Sequence, residues 1–467
     1  MRLLELLYVK YRMKGVSHAT LNPEGPGAVR IHLIPPKFSI IDAIIHHLRP
    51  ESVAIINGQD IIPLSISWAI LLNNFLKELN YYSEEPITKK DIEGIINSCT
   101  MDTTLIYPSV SQKELKKDLK RIIDCLYSVA TGNGPTEDIG YRSLGEYAPF
   151  MSAPHRMDLM ISSMEKDGIW NCNQRCIHCY AAGQIESNVK ELSTEEWKIA
   201  IDKLREIGIP QITFTGGEPT VRKDLVELVD YAKWFVTRLN TNGILLTKEL
   251  CKKLYEASLD SVQVTLYSSN PVTHNRLVRA NTFDKTWAGI QNAIEAGLNI
   301  SINTPLCSFN ADEYEDTLEA LHKIGVRYVS CSGLIITGNA KKSESTNTQL
   351  TETQITHTIV EAANYCHTHG MELSFTSPGW VDPKNLENMN LNPPTCGACL
   401  SNMAIAPNGD IIPCQSWLNK ADVLGNILSS DWKDVWNRNN CVAIRDYASQ
   451  DLGKCPFRET YVMHGVS

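Results

Sequence analysis

The stretch Cys172-Asn-Gln-Arg-Cys176-Ile-His-Cys179-Tyr180 decides how this chain is interpreted. Its C-x3-C-x2-C spacing gathers three cysteines in one loop, whereas a [4Fe–4S] cluster normally takes four thiolates, one for each iron. A cluster bound by this loop alone would keep one iron open to a ligand from outside the protein, and open positions are typical of reactive metal sites. A zinc site completed by His178, or an ordinary electron-transfer cluster, is the alternative from the loop alone.

Strand and helix patterns alternate on both sides of the loop. The segment RMDLMISS at 156–163 predicts a strand that runs into the cysteines, and Ser193 with Glu196 forms a capping box that opens the next helix. The six predicted strands cover 156–163, 210–219, 237–243, 260–269, 299–307 and 327–336, and their helices cover 193–208, 224–235, 247–257, 283–297, 312–325 and 351–370. Six β/α units imply an α/β protein with an open, partial barrel, and ligand sites lie at the carboxyl ends of such strands.

The cysteine loop resembles the cluster loop of the radical SAM superfamily, and Gly216-Gly217-Glu218-Pro219, one β/α unit downstream, resembles the GGEP motif of that family. The resemblance implies a partial (β/α)6 radical SAM barrel with two cofactors, a [4Fe–4S] cluster and S-adenosyl-L-methionine (SAM). In the family, SAM chelates the free iron, and an electron from the cluster breaks the S–C5′ bond to give a 5′-deoxyadenosyl radical. The radical abstracts hydrogen from substrate, and the protein must bind, orient and shield this chemistry.

Further SAM contacts are carried over from the family by position. The two glycines let the backbone approach SAM, and Glu218 can meet its amino group. Thr265 and Ser268, at the end of the fourth strand, are expected at the ribose, although the segment T-L-Y-S lacks the acidic residue of the family's S-L-D-G-like segment. The other expected contacts are Tyr180 beside the adenine, Arg279 at the SAM carboxylate and Asn303 on the fifth strand. An ordinary polar residue at the barrel mouth is the alternative for these weaker candidates.

A second group of cysteines lies near the end of the chain. Cys396, Gly409 and Cys414 give the pattern C-x12-G-x4-C, which resembles the opening of a SPASM or Twitch extension of radical SAM enzymes. The segment 404–414 predicts a β-hairpin that turns at Asn408-Gly409 and brings Cys414 back beside the first cysteines.

The resemblance implies one auxiliary [4Fe–4S] cluster, and a second one is not expected because the chain lacks the further closely spaced cysteines of a full SPASM domain. The expected ligands are Cys396, Cys414 and Cys455, with Cys399 as the fourth. Cys441 competes with Cys399, and if neither binds, one iron stays open. A tetrahedral zinc site is the alternative for this group.

The segment before the barrel has a different character. Predicted strands at 52–58 and 60–66 are followed by predicted helices at 67–79, 87–99 and 112–129. This element order resembles a winged-helix peptide-binding module of ribosomal-peptide-modifying enzymes, which captures a leader peptide as an added strand at a sheet edge. A helical scaffold with no binding task is the alternative. We therefore expect a recognition-like α+β domain at 1–148, the barrel at 149–371 and a loop-rich auxiliary domain at 372–467.

Composition excludes several classes of protein. The 467 residues suffice for two or three domains, and a net charge of −9 argues against a broad nucleic-acid-binding surface. We find no apolar run long enough to span a membrane, and Glu5 and Lys10 interrupt the apolar start, so we expect neither a membrane partner nor a secretory signal. Fourteen cysteines without an export signal favour metal ligation in the reducing cytoplasm over disulfides.

These features together predict a radical SAM maturase that acts on a ribosomally synthesised peptide, giving a cross-link, a cyclised product or an epimer. The expected partners are a precursor peptide with a leader segment and a reductant such as ferredoxin or flavodoxin. No catalytic acid or base can be named, and Cys307 and Cys331 are the candidate hydrogen donors for an epimerisation. The alternatives are an enzyme acting on a small molecule, like the cyclase of molybdenum-cofactor synthesis, a sulfatase-type maturase, and a non-catalytic iron–sulfur or zinc protein.

Overall fold

The computed structural model describes residues 2–13, 16–21, 29–36, 38–47, 51–58, 60–81, 87–148, 151–166, 168–342, 347–450 and 453–456. Three groups of elements follow one another along the chain, and each is built from the patterns that its sequence predicts. Among the described residues, no helix combines the length and the apolar character needed to cross a bilayer.

The first group is a four-stranded antiparallel sheet with helices. Its strands are β1 (Ser17–Leu21), β2 (Val29–Ile34), β3 (Ser52–Ile56) and β4 (Asp60–Leu64), in that spatial order. Its helices are α1 (Arg2–Arg12), α2 (Ile40–Ile45), α3 (Ile66–Tyr81), α4 (Lys89–Thr104), α5 (Gln112–Ala130) and the short α6 (Leu144–Tyr147). The predicted strand pair and three helices are present, while β1, β2 and α1 add to them because their short segments carry weak periodicity.

Both faces of this sheet are covered. Alternate residues such as Ile31 and Ile62 pack against the helices, whereas Val53, Ile55 and Ile61 join the core of the following barrel. A buried ion pair between Arg30 and Asp260, the residue that precedes a barrel strand, ties the two units together. The N-terminal sheet therefore leaves only its edges for pairing with another chain.

The second group alternates strands and helices as predicted. Its main strands are β5 (Arg156–Ser162), β8 (Gln211–Gly216), β9 (Val236–Thr241), β10 (Ser261–Thr265), β11 (Ile300–Pro305), β12 (Tyr328–Ser332) and β13 (Glu372–Phe375), and a small hairpin, β6 (Glu165–Lys166) with β7 (Ile169–Trp170), follows β5. Its helices are α7 (Thr194–Ile207), α8 (Leu225–Tyr231), α9 (Lys248–Glu256), α10 (Pro271–Val278), α11 (Phe283–Glu295), α12 (Tyr314–Lys323) and α13 (Glu352–His369).

The seven main strands are parallel, in the order β13-β12-β11-β10-β9-β8-β5. The six predicted β/α units are present, with α10 as an additional helix. The seventh strand, β13, begins at residue 372, so the sheet continues into the segment that the sequence assigned to the auxiliary domain.

The third group extends the same sheet on its other side. Its elements are α14 (Pro383–Asn388), β14 (Asn402–Ile405), β15 (Asp410–Ile412), β16 (Gly425–Asn426), α15 (Trp432–Trp436) and α16 (Asn439–Ser449). Strand β14 pairs in parallel with β5, and β15 returns antiparallel to β14. The predicted hairpin turn is present, since Gly409 has a φ of +89° and the Ala406 amide donates to the Asp410 carbonyl.

Polar side chains line the inner side of the barrel sheet. On β10 and β11, residues such as Val264 and Ile302 are fully buried against the helices, and the residues between them are half-buried on the opposite side. We define the polar trough as Asn240, Gln263, Thr265, Ser301 and Asn303, all half-buried on that inner side. Closed barrels fill this space with branched aliphatic layers, so a polar, accessible interior indicates room for a ligand.

Candidate functional site: two cysteine groups at the mouth of the barrel

Glu191 ties the loop after β5 in place. Its carboxylate accepts hydrogen bonds from the Ser163 amide at 2.9 Å and the Asn171 side chain at 3.2 Å, and it pairs with Lys166 at 3.2 Å. Because Asn171 directly precedes Cys172, this carboxylate determines where the cysteine loop begins.

The middle and end of the cysteine loop are held by two other segments. The Arg175 and Ile177 amides donate to carbonyls at the end of α10, each at 3.0 Å. On the other side, the Asn339 amide donates to the Cys179 carbonyl at 2.9 Å, and its side chain donates to the Cys176 carbonyl at 3.2 Å. The loop is thus fixed by its backbone, which leaves the thiols available for a ligand.

The environment of the three thiols fits an iron–sulfur cluster better than free cysteines. Burial is the main cause that raises the pKa of Cys172, Cys176 and Cys179, to about 12 for Cys172, so unligated thiols here would be protonated. A bound metal reverses this preference, because a coordinating thiol is deprotonated outright. Among the described residues no three His, Cys, Asp or Glu side chains already stand at metal-holding positions, so the fit rests on the donor set, its burial and the clamped loop.

The GGEP segment lies directly beside the cysteine loop. The Gly217 carbonyl oxygen is 3.4 Å from the Cys172 sulfur. A Cβ at Gly217 would lie 2.8 Å from the Ser163 carbonyl oxygen, and one at Gly216, where φ is +137°, would lie 2.8 Å from the Ser162 hydroxyl. Only glycine allows the second barrel strand to end this close to the first.

Glu218 points into the protein rather than into the barrel mouth. Its carboxylate is 1% exposed and accepts hydrogen bonds from the Thr220 amide at 3.0 Å, the Thr241 hydroxyl at 2.6 Å and the Asn242 amide at 2.8 Å. Burial raises the pKa of Glu218, and these donors oppose that shift. In this geometry Glu218 joins the ends of β8 and β9, and the backbone of the glycines and the main chain before Pro219 remain the surface that faces a cofactor.

Two of the expected SAM contacts lie together in the polar trough. Thr265 and Asn303 are register partners on β10 and β11, and the Asn303 side chain lies 3.0 Å from the Ser330 hydroxyl on β12. Both are half-buried on the inner side of the sheet, as the sequence predicted for residues facing a ligand.

Ser268 and Arg279 are placed differently. Strand β10 ends at Thr265, three residues earlier than Ser268, whose fully buried hydroxyl donates to Glu313 at 2.7 Å. Arg279 is exposed at the end of α10 with a φ of +52°. The structure does not bring Ser268 to the trough, because the predicted strand was too long; its ribose contact, like that of Arg279 with the SAM carboxylate, stays a prediction.

Tyr180 connects the two cysteine groups. Its hydroxyl lies 3.4 Å from the Gln415 side chain, next to Cys414, and its ring joins an apolar cluster with Cys172 and Cys179. The same cluster contains the fully buried hairpin residues Ala404 and Ile412, so the auxiliary hairpin packs directly on the cluster loop.

The C-terminal cysteines separate into a group of three and a pair. The charge of Cys455 contributes to raising the pKa of Cys396, to about 11, and of Cys414, although burial is the largest cause for both. Cys399 instead hydrogen-bonds the sulfur of Cys441. Cys399 also adopts a left-handed φ of +54°, which costs a residue with a side chain energy that glycine would avoid. The predicted ligand set, including its fourth member, remains a prediction.

The two candidate hydrogen donors lie on different sides of the sheet. Cys307 packs in a buried cluster with Ile177 and Tyr267, beside Cys176. Cys331 is buried on the helix-covered side with Tyr314, away from the trough.

Sequence reasoning missed residues that position the site. Thr241-Asn242, which hold Glu218, follow a predicted strand, so their place at a carboxyl end could have drawn attention to them. Gly338 and Asn339, which hold the cysteine loop, lie in a loop without a periodic pattern, and no signal in the sequence marks them.

Two family models match this chain, the Radical SAM superfamily over residues 171–321 and the SPASM iron–sulfur cluster-binding domain over residues 396–456. The chain therefore belongs to the radical SAM proteins that carry a SPASM domain, as the cysteine loop and GGEP segment predicted. The matches confirm a SAM site with its [4Fe–4S] cluster and an auxiliary iron–sulfur site, whereas the number of auxiliary clusters stays a prediction.

Curated relatives include enzymes of small molecules and of peptides. Fe-coproporphyrin III synthase of Methanosarcina barkeri is 32% identical over 43% of this chain and 52% of its own length. The PqqA peptide cyclase of Bradyrhizobium diazoefficiens is 26% identical over 62% of this chain and 77% of its own length. The mycofactocin maturase MftC of Mycolicibacterium smegmatis is 26% identical over 57% of this chain and 68% of its own length. The chain spans about half the length of the synthase.

Solved structures with the same fold include Streptococcus suis SuiB bound to precursor peptide SuiA, which covers 86% of this chain and 91% of SuiB at 15% identity, with a TM-score of 0.59. The anSMEcpe enzyme with bound AdoMet covers 63% of this chain and 84% of its own at 16% identity, with a TM-score of 0.50. These similarities confirm the predicted α/β architecture. Residues 149–467 make up about two thirds of the chain, so the overlap with SuiB extends into the N-terminal sheet.

Proposed function

We propose that this protein is a radical SAM maturase that modifies a ribosomally synthesised peptide delivered by a leader segment. The observation that carries this proposal is the N-terminal sheet, which is covered on both faces and open only at its edges. Strand addition at an edge is how such sheets recognise extended peptides, with main-chain hydrogen bonds giving affinity.

The β1 edge is the better docking edge. On β4, the residues whose main chain faces outward are Ile61 and Pro63; the Ile61 carbonyl already accepts from the Arg142 amide at 3.0 Å, and a proline has no N–H to donate. On β1, the alternation of the β1–β2 ladder directs the main chain of His18 and Thr20 outward. We therefore assign the leader to β1.

The position of the sheet sets a length for the peptide. The sheet packs near the amino ends of the barrel strands, where a Cβ at Gly58 would meet the Gln211 side chain and Val16 would meet one at Gly208. The cysteine loop lies at the opposite ends, and a six-residue strand such as β8 spans about 20 Å. An extended peptide therefore needs at least about six residues between its docked segment and the residue that reacts.

The comparisons support a peptide substrate by their extent. The relatives named as a peptide cyclase and a maturase match 57–62% of this chain, whereas those named as heme synthases or GTP cyclases match 33–37%. A small-molecule substrate is the alternative, and the experiment below separates the two.

SAM bound to the reduced cluster would supply the 5′-deoxyadenosyl radical. The clamped loop would hold Cys172, Cys176 and Cys179 at the cluster, and the polar trough would orient the peptide bond or side chain that loses hydrogen. The group of three C-terminal cysteines would hold the auxiliary cluster beside the hairpin. The cytoplasmic location and a ferredoxin or flavodoxin reductant belong to the same proposal.

The proposal is tested with anaerobically reconstituted protein, SAM, dithionite and short peptides encoded beside the gene. We expect 5′-deoxyadenosine release that increases with the correct peptide, and a mass change in that peptide. No 5′-deoxyadenosine under any condition would refute the enzyme assignment. Release without any dependence on peptide, together with turnover of a small molecule, would refute the peptide assignment.

Docking at β1 is tested by Thr20→Pro, which removes an outward N–H without taking a bond from the β1–β2 ladder. Thr20→Val is the matched control, since it keeps the N–H. We expect the proline variant to bind the peptide about 3- to 10-fold more weakly, the effect of one hydrogen bond, and the valine variant to bind like wild type. Equal affinities in both variants would exclude this edge.

A further inference from the structure

Arg238, on β9, is a buried cation without a partner. Its Nε is buried with no hydrogen-bond partner, and within the described part of the chain no ion pair involves its guanidinium. Burial is the main cause that lowers the pKa of Arg238, to about 10, with the charge of Arg156 acting in the same direction. Burying an unpaired charge is costly, and such a group in a native fold requires an explanation.

Asp158 does not neutralise this arginine. It pairs with Arg156, with Nε to Oδ1 at 2.9 Å and Nη2 to Oδ2 at 3.3 Å. The strand register places Thr213 between Asp158 and Arg238. The three charged side chains therefore carry a net charge of +1 on the inner side of the sheet.

Arg238 stands at the floor of the polar trough. It follows Asn240 inward by one alternation on the same face of β9, while Leu239 between them packs into the helix-covered core. From Arg238 to Asn242, at the mouth, the strand rises about 13 Å. None of the five trough residues is acidic, so the accessible interior above Arg238 offers no counter-ion of its own.

We propose that Arg238 binds a carboxylate of the peptide substrate, from an acidic side chain or a C-terminus lying in the trough. Guanidinium and carboxylate form short, bidentate, charge-assisted hydrogen bonds, and such a pair would orient the substrate below the cofactor. SAM's own carboxylate is expected at the cluster, near the strand ends, on the far side of that distance. The inference rests on the proposed function, and it adds that the modified peptide carries a negative charge near the reacting residue.

The test uses cluster-loaded enzyme and two probes of equal shape, N-acetylglutamate and N-acetylglutamine, whose thermal stabilisation of the protein is compared at constant ionic strength. We expect wild type to favour the glutamate probe, Arg238→Met to bind it about 10- to 100-fold more weakly, and Arg238→Lys to lie between, because lysine keeps the charge and loses the bidentate geometry. The matched control is Arg327→Met, at a 64% exposed arginine paired with Glu372, and it should bind like wild type.

A second measurement separates a ligand site from a structural role. Without probe, Arg238→Met should melt at the same temperature as wild type or higher, since an unpaired buried charge is removed. A melting temperature lower by several degrees, or equal responses to the two probes in wild type, would overturn the inference. SAM affinity should be unchanged, and a parallel loss of SAM binding would assign Arg238 to the cofactor instead.

These outcomes are independent of the proposed function. Absence of 5′-deoxyadenosine from wild type would refute the enzyme assignment whatever the probes do. Normal 5′-deoxyadenosine release with no preference for the glutamate probe would refute only the carboxylate site.

Discussion

Gly338 lies where the turn after β12 touches the cysteine loop, and it allows a sharp test of how that loop is held. A Cβ at Gly338 would lie 2.6 Å from the Cys179 carbonyl oxygen and closer still to the Tyr180 carbonyl oxygen. Both are backbone atoms, so no side-chain rotation can relieve the clash. The Gly338→Ala substitution must therefore displace either the turn Gly338–Lys341 or the loop itself.

The magnitude follows from two contributions. Gly338 has a φ of +54°, and a side chain in the left-handed region costs about 1–2 kcal/mol. Separation of the turn from the loop also removes the two hydrogen bonds of Asn339 to the Cys176 and Cys179 carbonyls, at about 1 kcal/mol each. We expect a total loss of about 3–4 kcal/mol in the free energy of unfolding.

Gly370→Ala is the matched control. Gly370 has a similar φ of +67° at the end of α13, and nothing lies within 4 Å of a Cβ built there. This variant should lose only the conformational part, about 1–2 kcal/mol.

The assay combines denaturant unfolding with iron content and SAM binding, in a background where the auxiliary ligands are replaced by serine so that only the SAM cluster is counted. Gly338→Ala should lose iron and SAM binding, and Gly370→Ala should keep both. Full iron content in Gly338→Ala, or equal destabilisation of the two variants, would refute the clamp.

Three further predictions follow from buried groups. Cys455→Ala should lower the auxiliary iron content, whereas Cys441→Ala should leave it unchanged because its sulfur hydrogen-bonds another buried thiol, and equal iron loss would contradict this. Asp260→Ala leaves Arg30 buried without its partner and should cost about 3–5 kcal/mol in chemical denaturation, while a loss below about 1 kcal/mol would contradict a buried pair. Burial raises the pKa of Glu218 above its ordinary 4.5, so its contribution to apo-protein stability is full below pH 4.5 and is lost as pH rises through the folded-state pKa. Glu218→Gln should remove this part of the pH dependence of unfolding, and an unchanged profile would contradict it.

Local patterns in the chain were enough to predict much of the fold. The six β/α units, the hairpin at Asn408-Gly409 and the cysteine loop at the end of the first barrel strand all depend on neighbouring residues, so periodicity and turn chemistry identify them. Predictions failed where a strand end had to be located, as at Ser268, which lies three residues beyond the end of β10 and bonds Glu313 instead of facing the trough. Strand β13 was missed because four residues carry too little pattern.

What the sequence alone determined is the chemistry of this protein, because the spacing of cysteines and glycines specifies which atoms can meet a cluster and SAM within one or two turns of chain. The tertiary structure decided which side chains share a space. The inward turn of Glu218, the contact of Gly338 with the cysteine loop, and the separation of Arg238 from Asp158 depend on strand register and on loops that are distant in the chain. Such contacts arise from packing of the whole barrel, and no local pattern encodes them.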